Sequence, residues 1–205
     1  MVAIIDYDAG NIKSVEKAFE YLGAKTLVTR EPSEILRADR VVLPGVGAFG
    51  DAMNRIREYG LEKVINEVTS REVPFIGICL GQQLLFDESD ESKGVRGLGI
   101  LRGSIRKIPE RDAAGNFYKI PQIGWNSLKF PNKGRLFKGI DEGAYVYFVH
   151  SFYLDAQDKS IVTATTDYNV TVEASVEKGN VFACQFHPEK SSEVGMQILD
   201  NFLKV

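Results

Sequence analysis

A cysteine stands between two glycines where an apolar run gives way to a helical pattern. The run from Pro74 to Ile78 is typical of a short buried strand, and Leu80 to Phe86 of a helix, so Cys79 is predicted at a strand-to-helix turn. Gly77 and Gly81 relieve the crowding of such a turn. A thiol at the start of a helix faces unpaired backbone N–H groups, which favour the thiolate that attacks carbonyl carbon. Cys79 is therefore a candidate nucleophile.

A candidate base and a candidate orienting acid lie far downstream, on either side of Pro188. A cysteine nucleophile needs a base within hydrogen-bond reach, and the base needs a group that fixes its tautomer. Pro188 is expected to hold the backbone extended, so that His187 and Glu189 emerge on the same side. The other histidine, His150, has no carboxylate at such an offset. The sequence therefore predicts a triad of Cys79, His187 and Glu189.

Acyl transfer also needs N–H donors aimed at the developing oxyanion. The N–H of Leu80 is one candidate, and the glycine-rich loop of Gly45, Val46 and Gly47 is suited to supply another. A turn that merely reverses the chain remains an alternative for Val46 and Gly47. Gln83 stands one helical turn after the cysteine, so its amide is expected beside the thiol, where it could hold a polar substrate. A solvent-facing glutamine is the alternative.

The residues that could hold a cofactor or a metal do not form a complete site. Gly45 to Gly50 matches the dinucleotide fingerprint G-x-G-x-x-G, but the next strand ends in Ile78-Cys79 rather than in the acid that would hold a ribose. The acidic run from Asp87 to Glu91 is interpreted as a solvated helix end, because no His or Cys lies nearby. No cofactor and no metal are predicted.

The composition limits the class of protein. The chain has 205 residues, is 44% hydrophobic and contains no linker or repeat, so a single domain over 1–205 is expected. Its 25 basic and 28 acidic residues give a charge of −3 without a basic stripe, which argues against a nucleic-acid ligand. The apolar run from Val2 to Ile5 is too short for a signal sequence, and no run is long enough to span a bilayer. We expect a cytoplasmic protein with no membrane partner.

The two cysteines are expected to differ in role. A disulfide between Cys79 and Cys184 is disfavoured in a cytosolic chain. Alternation places Cys184 on one face with Phe182 and Phe186, so it is predicted to be a small core residue.

The order of the sequence patterns predicts an α/β fold. In the first half, apolar runs alternate with helical patterns, which is typical of a parallel sheet covered by helices on both faces. From about Gly97 the chain is rich in strands, and a closing helix from Ser191 to Leu203 has Ser191 or Ser192 as its predicted N-cap. The predicted fold is an α/β sandwich with a mixed sheet. The strands predicted in the second half are Asn126 to Phe130, Tyr145 to Leu154, Ile161 to Thr166 and Thr171 to Phe186, the last with a turn at Gly179-Asn180.

Ligands of open α/β sheets gather beyond the carboxyl ends of the strands. Four segments of interest are predicted to lie there: Asp6 to Asn11, Pro44 to Gly50, Cys79, and His187 to Lys190. We expect these segments to share one crevice.

The segments Gly77 to Phe86 and Phe186 to Ser191 resemble those of class I (triad) glutamine amidotransferases. The chain as a whole resembles the family of glutaminase subunits of imidazole glycerol phosphate synthase. This resemblance implies a three-layer α/β sandwich with a mixed, largely parallel central sheet of the flavodoxin-like type. The further segments that carry it are Asp6 to Asn11, Leu43 to Phe49, Ile123 to Asn126 and Tyr147 to Ser151.

The resemblance also implies a reaction. Cys79 would attack the side-chain amide of L-glutamine to give a glutamyl thioester and ammonia, with His187 as acid and base and Glu189 orienting it. Water would then release glutamate. Gly47 and Leu80 would supply oxyanion donors, with a peptide flip at Val46. Glutamine would be held by Gln83 and by the backbone of His150, Ser151 and Phe152.

A partner is implied as well. In the family, ammonia passes into a (β/α)8-barrel cyclase subunit, which converts a phosphoribulosyl-formimino aminoimidazole carboxamide ribonucleotide to imidazole glycerol phosphate and an aminoimidazole carboxamide ribotide. Asn11, Trp125 and Lys190 match family positions that face this subunit, although a buried core tryptophan is the alternative for Trp125. Gln122 stands where many relatives have histidine, and the loop from Glu110 to Phe117 looks longer than in compact relatives.

Two other interpretations remain open. Sister amidotransferases that serve anthranilate, aminodeoxychorismate or purine synthesis share the triad, and only the flanking motifs separate them. A catalytically silent α/β binding module is disfavoured, because all three triad residues are present. We also expect regulation, in which the glutaminase stays idle until the synthase binds its nucleotide and the loop of Gly45 to Gly47 is reorganised.

Overall fold

A computed structural model describes residues 1–205 and contains six α-helices and twelve β-strands. None of the helices is both long and apolar enough to cross a membrane. The helices are α1 (Ile12–Tyr21), α2 (Pro32–Ile35), α3 (Phe49–Glu58), α4 (Leu61–Ser70), α5 (Leu80–Leu84) and α6 (Ser192–Leu203). The strands are β1 (Val2–Ile5), β2 (Thr26–Thr29), β3 (Arg40–Leu43), β4 (Phe75–Ile78), β5 (Glu88–Ser89), β6 (Gly103–Lys107), β7 (Gln122–Ser127), β8 (Tyr145–His150), β9 (Phe152–Ala156), β10 (Val162–Asp167), β11 (Thr171–Lys178) and β12 (Val181–Cys184).

Seven of the strands form one central sheet, in the order β10-β11-β12-β4-β3-β1-β2. Within the series β12-β4-β3-β1-β2 each strand is parallel to the next, whereas β11 pairs antiparallel with both β10 and β12. Parallel neighbours need helical crossovers, while β10, β11 and β12 follow one another through short turns. The prediction of a mixed, largely parallel sheet is therefore confirmed.

Helices cover both faces of this sheet, because successive residues of a strand point to opposite sides. In β1, Ile4 packs in a cluster with Phe19 of α1. The adjacent Ile5 packs in the other cluster, with Met53 of α3 and Ile65 of α4. The result is a three-layer α/β sandwich with one hydrophobic core on each side of the sheet.

Two predicted strands of the second half differ from the observed ones. The run from Tyr145 to Leu154 is divided at Ser151: β8 pairs with β7, and β9 pairs with β6. The predicted strand from Asn126 to Phe130 begins earlier, at Gln122, as β7. Alternation of apolar and polar residues indicates that a segment is extended, but it does not indicate which strand the segment pairs with. The change of partner strand at Ser151 therefore could not be predicted from the sequence pattern.

The close packing of α5 against β3 and β4 fixes the position of Cys79. A Cβ atom on Gly81 would lie only 1.9 Å from the carbonyl oxygen of Leu43, and one on Gly77 would lie 2.6 Å from the carbonyl oxygen of Gly81. Both contacts are with backbone oxygens, which cannot move aside as a flexible side chain can. Only glycine fits at these two positions.

Substitution of Gly81 tests this packing. We expect Gly81→Ala to lower the free energy of unfolding by about 3 kcal/mol, since the added methyl group forces the helix away from β3. Urea denaturation measures the change. Gly143→Ala is the matched control, because no atom lies within 4 Å of a Cβ added at Gly143 and only its φ of +88° is strained. Equal losses in both variants would contradict the steric argument.

Candidate active site

The turn between β4 and α5 holds Cys79 in an unusual conformation. Its φ of 56° and ψ of −111° lie outside the regions that side chains with a Cβ ordinarily occupy. The N–H of Cys79 donates to the carbonyl of Cys184 at 2.8 Å, which ties the turn to the end of β12. Such strain persists only where the surroundings enforce it, and it recurs at functional sites. The sulfur is thereby presented at the carboxyl edge of the sheet.

His187 and Glu189 meet through a tight turn that follows β12. His187 Nδ1 donates to Glu189 Oε1 at 2.7 Å, and both side chains are buried. The expectation that Pro188 keeps the backbone extended is wrong, because Pro188–Lys190 is a 3-10 helix. A proline also fits the first turn of a helix, where its missing N–H is not needed. The turn folds the carboxylate back onto the imidazole.

The environment of His187 favours the imidazolium form. Burial lowers the pKa of His187, but the hydrogen-bonding capacity and negative charge of Cys79 and Glu189 outweigh this and raise the pKa to about 9. Nε2 is buried and makes no hydrogen bond of ordinary geometry, while Nδ1 is committed to Glu189. Nε2 is therefore the atom available for proton transfer at the sulfur.

Asn11 holds the acid of this arrangement from the other side. Its Nδ2 donates to Glu189 Oε1 at 2.6 Å. Asn11 precedes α1 with a φ of 69°, but its side chain does not cap the helix. Asn11 was expected to face the partner subunit. In the structure its side-chain amide fixes the Glu189 carboxylate beside His187.

Ser191 fixes the backbone of the same segment. It is the residue before α6, as predicted, but its hydroxyl makes no capping bond. Instead Ser191 Oγ donates to the carbonyl of His187 at 2.6 Å and accepts from the N–H of Tyr147 at 2.9 Å. The base is in this way held against β8.

A cavity of about 280 Å³ opens above Cys79 and His187. Its floor is formed by the sulfur and the imidazole, and its walls come from loops at the carboxyl edge of the sheet and from the turn between β8 and β9. The structure brings together here most of the residues predicted to bind substrate. The lining residues are Val46, Gly47, Cys79, Leu80, Gln83, Glu91, Pro121, Val149, His150, Ser151, Phe152 and His187.

One of the candidate oxyanion donors is engaged within the chain. The N–H of Leu80 donates to the carbonyl of Gly45 at 3.2 Å, so this carbonyl occupies the place where an oxyanion would accept. Gly47 has a φ of +103° with open space around it, and Val46 is exposed. Gly47 is thus uncrowded, whereas a Cβ on Gly45 would lie 2.1 Å from Tyr7 Oη.

The loop after β1 supports this glycine-rich loop from behind. Tyr7 Oη donates to the carbonyl of Pro44 at 2.8 Å, and burial together with the nearby Cys79 raises the pKa of Tyr7. A Cβ on Gly10 would lie 2.6 Å from Val46 Cγ2. The segment that contains Asn11 is thus in direct contact with the candidate oxyanion loop.

A buried chain of amides leads from the cavity wall to the nucleophile. Gln83 Nε2 donates to Gln185 Oε1 at 2.8 Å and lies 3.4 Å from the carbonyl of Phe152. Gln185 Nε2 lies 3.7 Å from Cys79 Sγ. Sequence reasoning did not single out Gln185, and the available signal was a polar residue at the end of an otherwise apolar run.

His150 is a neutral, buried histidine at the end of β8. Burial lowers its pKa to about 4. Its Nδ1 donates to the carbonyl of Phe152 at 2.8 Å, and its Nε2 contacts the side-chain amide of Gln122 at 3.1 Å. Gln122 is buried, so its side chain packs against His150 rather than at an outer surface. The pair fixes the shape of the turn over His150 to Phe152.

The acidic run does not form the solvated helix end that was expected. Residues 88 and 89 form β5, and the Glu91 carboxylate accepts from the N–H of Phe49 at 2.7 Å, at the start of α3. Asp87 is bound to Arg102 and to the N–H of Gly103. These residues contact partners distant in sequence, which local patterns do not reveal. Glu91 is the one acidic residue that lines the cavity.

The remaining residues of interest lie outside the cavity. Trp125 is 52% exposed, which excludes a core role, and its ring packs edge to face on Tyr147. Lys190 is also exposed. Cys184 is free and buried near Phe182, as predicted. The loop over residues 110 to 117 is organised by hydrogen bonds of its own and makes no contact with the cavity.

Comparisons with known proteins identify the family to which the chain belongs. The family model for class-I glutamine amidotransferases matches residues 3–205. The imidazole glycerol phosphate synthase subunit HisH of Bacillus cereus (strain G9842) is 52% identical over 98% of this chain and 93% of its own length. HisH of Geobacillus sp. (strain WCH70) is 48% identical over 100% of this chain and 97% of its own length.

Solved structures show the same fold at much lower identity. A crystal structure of a glutamine amidotransferase is 19% identical, has a TM-score of 0.76 and covers 100% of this chain and 98% of its own. A glutamine amidotransferase from Thermotoga maritima, 16% identical, has a TM-score of 0.69 and covers 99% of this chain and 96% of its own. The family match and the close relatives span almost the whole sequence. The chain belongs to the class-I glutamine amidotransferase family.

Proposed function

We propose that this chain is the glutaminase subunit of an imidazole glycerol phosphate synthase, formed by one amidotransferase domain over 1–205. The observation that carries the proposal is the position of Cys79 on a strained turn at the floor of a cavity, beside the buried pair of His187 and Glu189. The chain is identical to HisH subunits at about half of its positions over nearly its full length, which supports the assignment to imidazole glycerol phosphate synthase.

The first half of the proposed reaction forms a thioester. The sulfur of Cys79 attacks the side-chain carbonyl carbon of glutamine, and the electron pair of the C=O bond moves onto oxygen. His187 Nε2 gives its proton to the leaving nitrogen, so ammonia departs as the carbonyl reforms. Glu189 stabilises the imidazolium and keeps Nδ1 protonated throughout.

The second half releases glutamate. His187, now neutral, takes a proton from water while the water oxygen attacks the thioester carbon. The C–S bond then breaks, its electron pair returns to sulfur, and the thiolate and imidazolium pair is restored. The chain supplies every group that these proton transfers require, and we propose no cofactor.

Glutamine is held, in this proposal, by groups of the cavity wall. The backbone from His150 to Phe152 and the amide of Gln83 bind its polar atoms. Glu91 is placed to accept from the α-ammonium group, because it is the one carboxylate of the lining and a charged hydrogen bond of this kind is strong.

We propose that the loop of Gly45 to Gly47 switches between two arrangements. In the observed arrangement the N–H of Leu80 is occupied by Gly45, so the oxyanion has one donor too few. Rotation of the peptides at Val46 would free Leu80 and turn the N–H of Gly47 toward the substrate. Binding of nucleotide by the synthase is proposed to favour this second arrangement. Such a shift requires that the nucleotide-bound synthase make different contacts with the two arrangements of the loop.

The proposed partner is a (β/α)8-barrel cyclase subunit that receives the ammonia in a heterodimer. The antiparallel pair of β7 and β8 presents three large apolar side chains to solvent, those of Ile123, Trp125 and Tyr145. Exposed aromatic groups of this kind are typical anchors of protein interfaces. Asn11 and the exposed Lys190 are proposed to belong to the same interface. Both cysteines are free, which fits the proposed cytoplasmic location.

Replacement of the nucleophile tests the function directly. With the cyclase partner and its nucleotide present, we expect Cys79→Ala to abolish glutamate release but to leave synthesis from added ammonia unchanged, because only the glutaminase step uses the sulfur. Cys184→Ala is the matched control and should keep both activities. Glutamate release by Cys79→Ala at the wild-type rate would refute the assignment. Activity of the wild-type chain only with a synthase of another pathway would favour a sister amidotransferase.

The charge of Glu189 should be visible in the pH profile. The imidazolium of His187 is present below its pKa of about 9 and is lost as pH rises through that value, so kcat/KM should fall above about pH 9. Glu189→Gln removes one of the charges that raise the pKa, so this fall should move toward about pH 6.5, the ordinary value. We also expect kcat to drop about a hundredfold or more. The exposed Glu193 offers the control Glu193→Gln, and an unmoved alkaline limb in Glu189→Gln would contradict the triad.

Loss of charge at Glu91 should affect binding of glutamine more than chemistry. We expect Glu91→Gln to raise KM about tenfold with a small change in kcat, since the ammonium group is not part of the reacting bond. Steady-state kinetics of the complex give both constants. Glu88→Gln, at an exposed site on the same run, is the control. An unchanged KM would remove Glu91 from the substrate site.

A further inference from the structure

We propose that Gln185 is a catalytic residue, whose side-chain N–H stabilises the Cys79 thiolate while its side-chain oxygen positions Gln83. Its effect on turnover rests on the proposed glutaminase function, whereas its effect on the sulfur does not. The proposal follows from the buried chain of amides that runs from Phe152 through Gln83 and Gln185 to the nucleophile.

The orientation of the Gln185 amide is set by its neighbours. The Gln83 nitrogen faces two acceptors, the carbonyl of Phe152 at 3.4 Å and Gln185 Oε1 at 2.8 Å. A reversed Gln185 would bring two N–H₂ groups together and lose the shorter of these bonds. Its oxygen must therefore point to Gln83, which leaves its nitrogen toward Cys79 Sγ at 3.7 Å.

The backbone keeps Gln185 in this place. Its N–H donates to the carbonyl of Ala174 at 2.9 Å, while the carbonyl of the preceding Cys184 accepts from the N–H of Cys79 at 2.8 Å. The side chain of Gln185 has no exposed surface. A buried amide is costly unless it is hydrogen-bonded, so the sulfur and Gln83 are the partners that justify its position.

A neutral donor at this point acts when the sulfur carries charge. Hydrogen bonds to a charged acceptor are about twice as strong as those between neutral groups, so the contact favours the thiolate over the thiol. It acts before attack on glutamine and again when the C–S bond of the thioester breaks and the electron pair returns to sulfur. Tyr7, Cys184 and His187 are the titratable groups that interact with Cys79, and the Tyr7 hydroxyl is committed to the carbonyl of Pro44.

The test uses two substitutions of Gln185 in the full-length chain. Gln185→Met removes the donor with little change in volume. Gln185→Glu keeps an oxygen for Gln83 but places a negative charge beside the sulfur, and it serves if the methionine variant does not fold. The control is Gln82→Met, because Gln82 is an equally buried amide in α5 that contacts the carbonyl of Glu173 instead of the sulfur.

Alkylation by iodoacetamide, followed on the Cys79 peptide by mass spectrometry from about pH 5 to about pH 10, measures the thiolate without any need for turnover. We expect both Gln185 variants to react about tenfold more slowly than the wild-type chain at neutral pH, because the thiolate has lost a donor. In the complex with the cyclase subunit, kcat for glutamate release should fall about ten- to a hundredfold.

Two outcomes would overturn the proposal: an unchanged alkylation profile in folded Gln185 variants, or an equal shift in Gln82→Met. The proposed glutaminase function fails separately. It is refuted if the wild-type complex releases no glutamate, and a shifted alkylation profile would even then support the contact between Gln185 and the sulfur.

Discussion

The approach of α5 to the backbone of β3 is the contact on which the site depends. Because Gly81 touches the carbonyl of Leu43, the helix begins close to the sheet and Cys79, just before it, is forced into a strained turn. Buried aliphatic and aromatic side chains pack against both faces of the sheet. The stability gained by this packing offsets the cost of the strained conformation at Cys79. The position of the reactive Cys79 sulfur at the edge of the sheet thus depends on the packing of the hydrophobic core.

Burial makes the polar groups around the nucleophile interdependent. Glu189 has a fully buried side chain, and its Oε1 is shared by His187 and Asn11. An isolated carboxylate would be costly there, but an imidazolium beside it offsets the cost and has its own pKa raised in return. The side-chain nitrogen of Gln185 faces the sulfur, and the amide of Gln83 donates in turn to the side-chain oxygen of Gln185. Loss of one member leaves the others unpaired in a medium of low polarity.

The loop after β1 links this chemistry to the outer surface. Asn11 reaches the triad acid, Tyr7 holds the carbonyl of Pro44, and Gly10 abuts Val46. A partner that moved this segment would therefore act on both the base and the oxyanion loop. In the observed arrangement the N–H of Leu80 is bound to the carbonyl of Gly45. The proposed regulation requires that the partner contact these loops differently in the two arrangements.

The sequence by itself determined the alternation of strands and helices in the first half, the mixed sheet and the place of the reactive cysteine, because these follow from local periodicity and from glycines at fixed offsets. Tertiary structure alone decided the rest. Gln185 and Glu91 acquire their positions from partners distant in the chain, and the division of 145 to 154 between two sheets depends on pairing that alternation does not encode. His187 and Glu189 likewise meet because Pro188–Lys190 forms a 3-10 helix and not the extended segment that the sequence predicted. A sequence shows which groups are available, but hydrogen bonds between remote segments decide where buried polar groups point.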